Sequence, residues 1–558
     1  MSLLSASAAL SSKTDLLSIR SIYMKGVLMD TKLSRRSFVA GSAVAAGAAA
    51  LGATGIASAD EPAAPVSSWK IAPEPIGDDQ IAETFEADLV VVGAGAAGCM
   101  ATATAVDDGA SVILLQKDEE PFCHGYAFAA NGTSKQKEAG VEVDGWEVMN
   151  HINLLSENKA KTEVIRNWVK YSGEMTDWLA EKIDGVEGVG PIILEIPEPA
   201  DDEWNYTFTV THLPVGNFTP IGSVPPVIKY LIAECDPALL DAHYNTPAVQ
   251  LRKDESGRVT GVIAQREDGS YILCNAKKGV ILCAGDYGND LEMRDELMPY
   301  AKGLPAGYAK KTDTGDGHKM AVWIGAAMEP APHACNIHYD PELKYPNYQG
   351  TVMPWLRVNA NGERFSNEDV PYEQIYAKDM HNPGLMHFQV FDADYTTTWK
   401  EMGKGGAMRA NWDEIVPQAL EAGDLRVGET LEELAEAMEV PVDVFVATVE
   451  RYNELCDKGY DEDFGKQAAR MKKVATPPFY AFARQASCLT PLGGLEINGN
   501  MQVLDESGKP IEGLYAAGNN SGNFFGGFVQ RMCAPGFGVG RAFLTGRVAA
   551  KRAIGAEY

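Results

Sequence analysis

The chain has 558 residues, of which 45% are hydrophobic, and its formal net charge is −29. This length is too great for one simple core, and the composition is typical of a globular protein rather than a disordered one. The excess of carboxylates argues against nucleic-acid and anionic-lipid partners, because like charges repel, and is expected to serve solubility or, alternatively, to attract a cationic redox partner.

The first 59 residues have the pattern of an export signal. Arg35 and Arg36 precede an apolar, uncharged run from Val39 to Ile56, which is followed by ASA at 57–59. A basic segment, an apolar segment and small residues at the end make up a signal peptide, and the paired arginines resemble a twin-arginine signal. We predict cleavage after Ala59 and export to the periplasm or the outer side of the cell envelope. The alternative is a membrane anchor; no later stretch is long and apolar enough to span a bilayer.

A nucleotide-binding element begins at Ala87–Val92, a continuous apolar run that predicts a buried parallel strand. Gly93, Gly95 and Gly98 follow as G-x-G-x-x-G at the predicted turn from this strand into a helix. The glycines allow a tight turn, close approach of a pyrophosphate and close packing of the helix, whose free N–H groups face the phosphates. The second strand of the unit is predicted over 111–116.

That second strand ends in Gln116, where an acidic residue usually binds the ribose. The amide oxygen of Gln116 can still accept a hydrogen bond from a ribose hydroxyl, without the help of a charge. We therefore expect a working site with a neutral ribose contact. The alternative is a degenerate, empty site.

Later elements are predicted in chain order from periodicity and turn residues. They are an amphipathic helix over 159–182, a β-meander over 243–285, a glycine turn into a helix at 314–321, a helix capped by Thr430 and Glu433, a helix from Pro441 to about Cys456, and a final helix within 534–553. The nucleotide fold is thus predicted to be discontinuous, with a signal peptide at 1–59, a first part at 60–329, an inserted α+β domain at 330–478 and a second part at 479–558. The predicted fold class is α/β, with a Rossmann-like domain and a capping insertion.

The nine cysteines are dispersed, and no pair has C-x-x-C spacing. This pattern argues against a structural zinc, a thioredoxin-type couple and an attached c-type haem, so we predict no metal site. The cysteines are expected to be small buried apolar residues. An iron–sulfur cluster from scattered cysteines stays open, without support from the spacing.

Five segments in order resemble the flavoprotein family of soluble fumarate reductases, urocanate reductases and 3-ketosteroid dehydrogenases. They are VVVGAGAAG, GVILCAGDYG, TGDG, VNANGERFSNE and GLYAAGN, and the resemblance spans roughly residue 85 to the C-terminus. The resemblance implies non-covalently bound FAD in an extended shape and a mobile capping domain that closes over the flavin ring. It also implies hydride exchange between the flavin and a carbon–carbon double bond.

By position, the resemblance implies which residues face FAD. It places Gly93, Gly95 and Gly98 at the pyrophosphate, Gln116 at the adenosine ribose, Val249 near the adenine, Gly125 in a flavin-facing segment, Asp316 and Asn519 near the ribityl–pyrophosphate region, and Gly538 and Val539 at the flavin pyrimidine. Further predicted cofactor-binding residues are Ala96, Ala97, Lys117, Ala284 and Gly285. Gly538 and Val539 begin a helix whose dipole would stabilise the negative charge of reduced flavin.

The sequence departs from the fumarate reductases at the residues that bind and protonate a dicarboxylate. The acid arginine falls at Tyr395 or Thr396, the histidine at Leu489 or Thr490, and the carboxylate-binding arginine near Val529. Because a buried dicarboxylate needs several positive donors, fumarate is not the expected substrate.

Three residues are predicted to be catalytic. The resemblance to ketosteroid dehydrogenases, through an NE…PY loop, makes Tyr372 a proton-transfer residue, with a structural tyrosine as the alternative. Arg531 could donate to a substrate carbonyl or carboxylate, or could be a surface or ion-paired arginine. Glu368 could link Tyr372 or Arg531 to solvent, or simply hold the loop.

The resulting hypothesis is an exported FAD-dependent oxidoreductase that reduces the C=C bond of an α,β-unsaturated carbonyl substrate. A separate cytochrome c or membrane-linked donor would supply its electrons, since no haem is attached. Two alternatives stay open: a ketosteroid dehydrogenase-like reaction in the oxidative direction, and a non-catalytic electron-transfer flavoprotein. Aromatic residues are candidates for an apolar substrate pocket or for the core, namely Trp204, Tyr206, Phe524, Phe525 and Phe528.

Overall fold

The computed structural model describes residues 67–196, 208–216, 223–307, 310–339, 353–370, 372–402, 411–526 and 534–558. The predicted signal peptide lies outside these residues. Within them, every helix is too short or too polar to cross a bilayer.

The described residues form sixteen strands. They are β1 (Ile81–Val92), β2 (Val112–Leu115), β3 (Phe128–Ala129), β4 (Ile192–Leu194), β5 (Thr211–Pro214), β6 (Leu240–His243), β7 (Ala248–Lys253), β8 (Val259–Gln265), β9 (Tyr271–Leu282), β10 (Cys335–Tyr339), β11 (Leu356–Val358), β12 (Met386–Asp392), β13 (Leu425–Gly428), β14 (Phe479–Pro491), β15 (Gln502–Leu504) and β16 (Pro510–Ala516).

The same residues form thirteen α-helices. They are α1 (Ala96–Asp107), α2 (Ser134–Glu138), α3 (Gly145–Leu155), α4 (Thr162–Ile183), α5 (Pro225–Ala233), α6 (Leu291–Leu297), α7 (Asp316–Val322), α8 (Tyr372–Asp379), α9 (Tyr395–Met402), α10 (Trp412–Ala422), α11 (Leu431–Met438), α12 (Val442–Lys458) and α13 (Phe537–Ile554).

The larger sheet has eight strands in the order β15-β16-β9-β1-β2-β6, with β8 pairing β9 and β7 pairing β8. β1 lies between β2 and β9 and is parallel to both, and β6 and β16 extend the parallel part. The last four residues of β1 are buried, as expected for a parallel strand covered on both faces. The predicted meander over 243–285 is confirmed, because β7, β8 and β9 pair antiparallel in sequence.

Five antiparallel strands form a second sheet in the inserted region, in the order β10-β14-β12-β11, with β13 beside β14. One face of this sheet packs apolar side chains against α11 and α12. The other face buries polar residues, among them Arg357, His387, Gln389 and Arg484. A third, three-stranded sheet, β3-β5-β4, belongs to the first part of the chain.

One strand lies at a predicted domain boundary. β14 begins at Phe479, where the second part of the nucleotide-binding domain was predicted to begin, and it pairs with β10, β12 and β13. This strand is therefore part of the second sheet, and the domain boundary at 478 itself stays a prediction. The alternation of a strand indicates which of its residues are buried, but not which sheet it joins, since its partners are distant in sequence.

The predicted helices are present, and their ends have the expected chemistry. The hydroxyl of Thr430 accepts a hydrogen bond from Glu433 N at the start of α11. α4 buries Val164, Ile165 and Trp168 on the predicted face. Together with the parallel sheet and the insertion, these elements confirm the predicted α/β fold class.

Helix α13 packs directly against α1, and a glycine permits this contact. A Cβ atom at Gly546 would lie 2.2 Å from the backbone oxygen of Ala97. The two helices can therefore approach only where the side chain is missing.

Gly546→Ala is expected to destabilise the protein, because the new methyl group must push α13 away from α1. Overpacking of this kind costs about 1–3 kcal/mol, against a gain in helix propensity of about 1 kcal/mol. Denaturant unfolding should show a net loss of free energy of unfolding. The matched control is Gly185→Ala, where no atom lies within 4 Å of the added carbon, and it should change stability by less than about 0.5 kcal/mol. Equal stability of the two variants would contradict the close helix contact.

Candidate functional site

The glycine turn after β1 has the geometry that a pyrophosphate requires. Gly93 has φ +103°, and a Cβ atom there would lie 2.3 Å from Cys283 O. A Cβ atom at Gly98 would lie 1.8 Å from Gly93 O, so α1 rests on the turn itself. At Gly95, by contrast, the nearest chain atom to an added Cβ is 3.7 Å away. Packing within the chain therefore does not require a glycine at position 95. A glycine there is explained if a ligand approaches the backbone closely.

A cavity that is open to solvent lies at the carboxyl ends of β1, β2 and β9. This is the edge at which open α/β sheets bind ligands. Its lining includes seven residues predicted to face the cofactor, namely Gly93, Gly95, Gln116, Lys117, Ala284, Gly285 and Asp316. The structure therefore brings residues from three distant parts of the sequence to one cavity.

Gln116 braces the turn from inside this cavity. Its Oε1 accepts a hydrogen bond from Ala94 N at 3.0 Å, and its Nε2 donates to Glu120 O at 3.1 Å. A carboxylate could not make the second bond, because it has no donor. The glutamine thus ties the glycine turn to the loop after β2. Its contact with a ribose hydroxyl stays a prediction, and Oε1 has a second lone pair that could make it.

Two lysines of the cavity are paired with carboxylates. Lys117 Nζ lies 2.8 Å from Asp316 Oδ2, and Lys310 Nζ lies 2.7 Å from Asp118 Oδ2. The fifth charged group of the lining, Asp313, has no ion-pair partner among the described residues. Its carboxylate accepts a hydrogen bond from the backbone N–H of Lys310, at 3.2 Å.

Asp313 and its neighbour Asp286 both resist ionisation. Burial raises the pKa of Asp313 to about 8, and the nearby charge of Asp286 acts in the same direction. Burial also raises the pKa of Asp286, although Thr490 and Gly288 N donate hydrogen bonds to its carboxylate. Two adjacent carboxylates in a buried site cannot readily both carry a charge.

The second half of the predicted cofactor site lies around the start of α13. A Cβ atom at Gly125, where φ is +125°, would lie 2.6 Å from a side-chain carbon of Val539, so these two predicted residues are in contact. Asn519 donates to Thr490 Oγ1 at 2.8 Å and accepts from Arg541 at 2.6 Å. Gly538 lies in the first turn of α13. Asn519 and Arg541 thus connect the end of β14, at Thr490, to the first turns of α13.

The remaining predicted cofactor residues lie next to the cavity lining. Ala96 and Ala97 belong to the first turn of α1, behind Gly95. Val249 follows Ala248, which lines the cavity, and is partly exposed. Their contacts with FAD stay predictions.

The structure places Glu368 in a buried ion-pair cluster. Arg364 Nε and Nη2 donate to its two carboxylate oxygens at 2.7 and 2.8 Å, and Lys466 Nζ lies 3.4 Å away. Burial alone would raise the pKa of Glu368, but the positive charges of Lys466 and Arg364 lower it below its ordinary value. Arg364 also binds Asp461, so the carboxylate is fixed between the loop before α8 and the segment after α12. This geometry favours the loop-holding role.

Tyr372 is the first residue of α8, whose last residue is firmly held. The carboxylate of Asp379 accepts hydrogen bonds from Tyr339 OH at 2.6 Å and from His387 Nδ1 at 3.0 Å. Arg531, the third candidate, lies outside the described residues, as do Trp204, Tyr206 and Phe528. Of the other aromatic candidates, Phe524 is buried in the core and Phe525 packs against it.

Sequence reasoning missed several residues of the site. They are Asp118, Phe122, Asp286, Lys310, Thr312, Asp313 and Arg541. Most lie on loops with no regular spacing, so the sequence offered little indication of them. Arg541 was detectable, since it is a charged residue inside the apolar run of the last helix.

Comparison with known proteins identifies the family. The model of the family described as FAD binding domain matches residues 88–534. The vinyl phenol reductase of Lactiplantibacillus plantarum is 29% identical over 501 residues, which cover 84% of this chain and 96% of that protein. The digoxin reductase of Eggerthella lenta is 26% identical over 489 residues, which cover 79% of this chain and 84% of that protein.

A solved structure agrees with this assignment. The open conformation of a flavocytochrome c3 fumarate reductase matches with a TM-score of 0.67 and 25% identity, covering 87% of this chain and 82% of that one. The cavity and its glycine turn fit the cofactor that the family model names. The chain therefore belongs to the FAD binding domain family and is a flavin-dependent oxidoreductase.

Proposed function

We propose that this protein is an exported reductase that transfers a hydride from FAD to the carbon–carbon double bond of an α,β-unsaturated carbonyl compound. The likeness to vinyl phenol reductase, over 84% of this chain and 96% of that protein, is the observation that carries the C=C reductase part of the proposal. The carbonyl group of the substrate is the expectation that the sequence resemblance implies. The cavity at the glycine turn supports the proposal, because its lining fits a dinucleotide. The alternative is a ketosteroid dehydrogenase-like reaction in the oxidative direction, and reoxidation experiments distinguish it from the reductase reaction.

The chain would hold FAD non-covalently through main-chain groups and two lysines. The N–H groups of the first turn of α1 are available to the pyrophosphate. Lys117 and Lys310 line the same cavity, each in an ion pair with an aspartate of the lining. When bound, the flavin supplies the hydride that the side chains cannot. The chain's own part is to orient the cofactor and the substrate and to move a proton.

Tyr372 is the proposed proton donor to the substrate carbon next to the one that receives the hydride. Its helix is held at Asp379, which fixes the position of the backbone at Tyr372. The ion-paired Glu368 holds the loop that leads into this helix. Arg531 is proposed to bind the substrate carbonyl. A separate cytochrome or membrane-linked donor would reduce the enzyme outside the cytoplasm, where the signal at 1–59 would direct it.

The test of this proposal is reoxidation of the reduced holoenzyme. Purified protein should show a flavin spectrum, and a reduced viologen should bleach it. Enones, unsaturated acids, vinyl phenols and unsaturated steroids are then added one at a time. At least one of them should restore the oxidised spectrum and yield the saturated product.

Three other outcomes have different meanings. If only saturated ketones reduce the oxidised protein, the reaction runs in the dehydrogenase direction. If only a cytochrome exchanges electrons with it, the protein is an electron carrier and the proposed enzyme activity is wrong. Protein that stays colourless after incubation with FAD would contradict the cofactor assignment itself.

Tyr372→Phe should lower turnover about 10²–10⁴-fold, the usual contribution of a general acid. FAD content should not change, since the predicted role of Tyr372 is proton transfer and not cofactor binding. Tyr376→Phe is the matched control, because Tyr376 is a buried tyrosine one turn later on α8. Steady-state rates and flavin absorbance measure both effects. Similar turnover in the two variants would show that Tyr372 is structural.

FAD affinity should fall as the pH rises through about 8, the pKa of Asp313. Below this pH the carboxyl is protonated and neutral; above it, a negative charge faces the anionic pyrophosphate. Linkage then predicts a loss of up to about tenfold per pH unit. Asp313→Asn, which cannot ionise, should bind FAD with the same affinity at pH 7 and pH 9. A decline that persists in this variant would assign the pH dependence to another group.

A further inference from the structure

Arg541 is a fully buried arginine in the first turns of α13. Its Nη1 donates to Ser521 O at 2.8 Å and its Nη2 to Asn519 Oδ1 at 2.6 Å. The guanidinium also lies 5.0 Å from the ring centroid of Phe525. All of these partners are uncharged.

Among the described residues, no carboxylate lies within 4.0 Å of this guanidinium, and its Nε has no hydrogen-bond partner. Glu329 acts on it only through its field, and burial raises the pKa of Glu329 to about 7. Burial lowers the pKa of Arg541 itself to about 10, so it remains charged at neutral pH. Within the part of the chain that the structure describes, Arg541 is therefore a buried positive charge without an ion-pair partner.

Arg547, farther along the same helix, shows the ordinary arrangement. It too is buried, but its Nη2 lies 2.6 Å from Glu174 Oε1 and its Nε donates to the same carboxylate at 3.2 Å. A buried charge without such a partner is costly. The comparison indicates that the counter-charge of Arg541 comes from outside the chain.

Two anions of the cofactor could supply it: the pyrophosphate, or the flavin ring after reduction. The pyrophosphate already has the glycine turn of α1, Lys117 and Lys310. Arg541 lies instead in the first turns of α13, together with Gly538 and Val539, which are predicted to face the flavin pyrimidine. Its guanidinium donates to Asn519, which is predicted to lie at the ribityl–pyrophosphate region. When the ring takes up two electrons and one proton, it gains one negative charge. This charge is present only in the reduced state.

We propose that Arg541 is the buried counter-charge for the reduced flavin, so that it favours the reduced over the oxidised cofactor. The inference rests on the ring position that belongs to the proposed function. The charge acts together with the N-terminal dipole of α13, and both are fixed before the electrons arrive. Such an arrangement makes the flavin easier to reduce by a weak donor.

The experiment measures FAD binding in both oxidation states and the midpoint potential, on the holoprotein and its variants. Arg541→Gln and Arg541→Met should weaken binding of reduced FAD at least tenfold more than binding of oxidised FAD. For a two-electron couple, a tenfold change lowers the potential by about 30 mV. Arg541→Lys keeps the charge and should stay within about threefold of the wild type. Arg547→Gln, which removes an equal charge that is already paired, should leave the potential unchanged.

Two results would overturn the inference. An equal loss of affinity in both oxidation states would place Arg541 at the pyrophosphate. An unchanged potential in a folded, FAD-containing Arg541→Met protein would make it a structural residue. The methionine variant is expected to fold, because it removes the buried charge together with the cost of desolvating it. Its result can therefore be interpreted even if the glutamine variant misfolds. Wild-type protein that binds no FAD would instead refute the proposed function, so the two failures are distinguishable.

Discussion

The contact between Gly98 and the carbonyl oxygen of Gly93 is the constraint on which the rest of the site depends. No side chain fits at Gly98, so the first turn of α1 lies directly on the bend that ends β1. This contact aims the free N–H groups of the helix at the cavity. Gly546 permits the same closeness between the first turn of α1 and the middle of α13, whereas Gly536 and Gly540 bring the start of α13 close to β3.

Local sequence patterns predicted the elements of the fold well, because each is determined by nearby residues. The parallel strand, the glycine turn and the cap at Thr430 all follow from a few adjacent positions. The assignment of β14 did not follow, because its partner strands lie far away in the sequence. The same limit applies to Gln116, whose partner Ala94 lies across the turn. Sequence placed this residue at the site but could not show that it braces the turn.

The predicted site residues show the same difference between features set by nearby residues and features set by distant ones. Gly93 and Gly95 of the glycine motif line the cavity, since the motif itself defines the backbone geometry; their contacts with FAD stay predictions. The ion-pair cluster of Glu368 required knowledge that Arg364, Asp461 and Lys466 converge, and they come from different elements. Buried ion pairs of this kind specify one arrangement of the inserted domain more than they stabilise it. A domain held in one shape can carry Tyr372 to the same place each time it meets the cofactor.

The predicted cofactor site contains charged groups that have no ion-pair partner among the described residues. Among the described residues, no carboxylate lies within ion-pair distance of Arg541 and no cation lies within ion-pair distance of Asp313. Hydrogen bonds through Asn519 and Thr490 connect Arg541 to Asp286. A fold selected for stability alone would replace such groups by apolar ones. Their presence is understandable where the total charge of the site changes during turnover. A fixed positive charge and carboxyl groups that gain or lose protons near neutral pH can compensate a negative charge that appears and disappears on the cofactor.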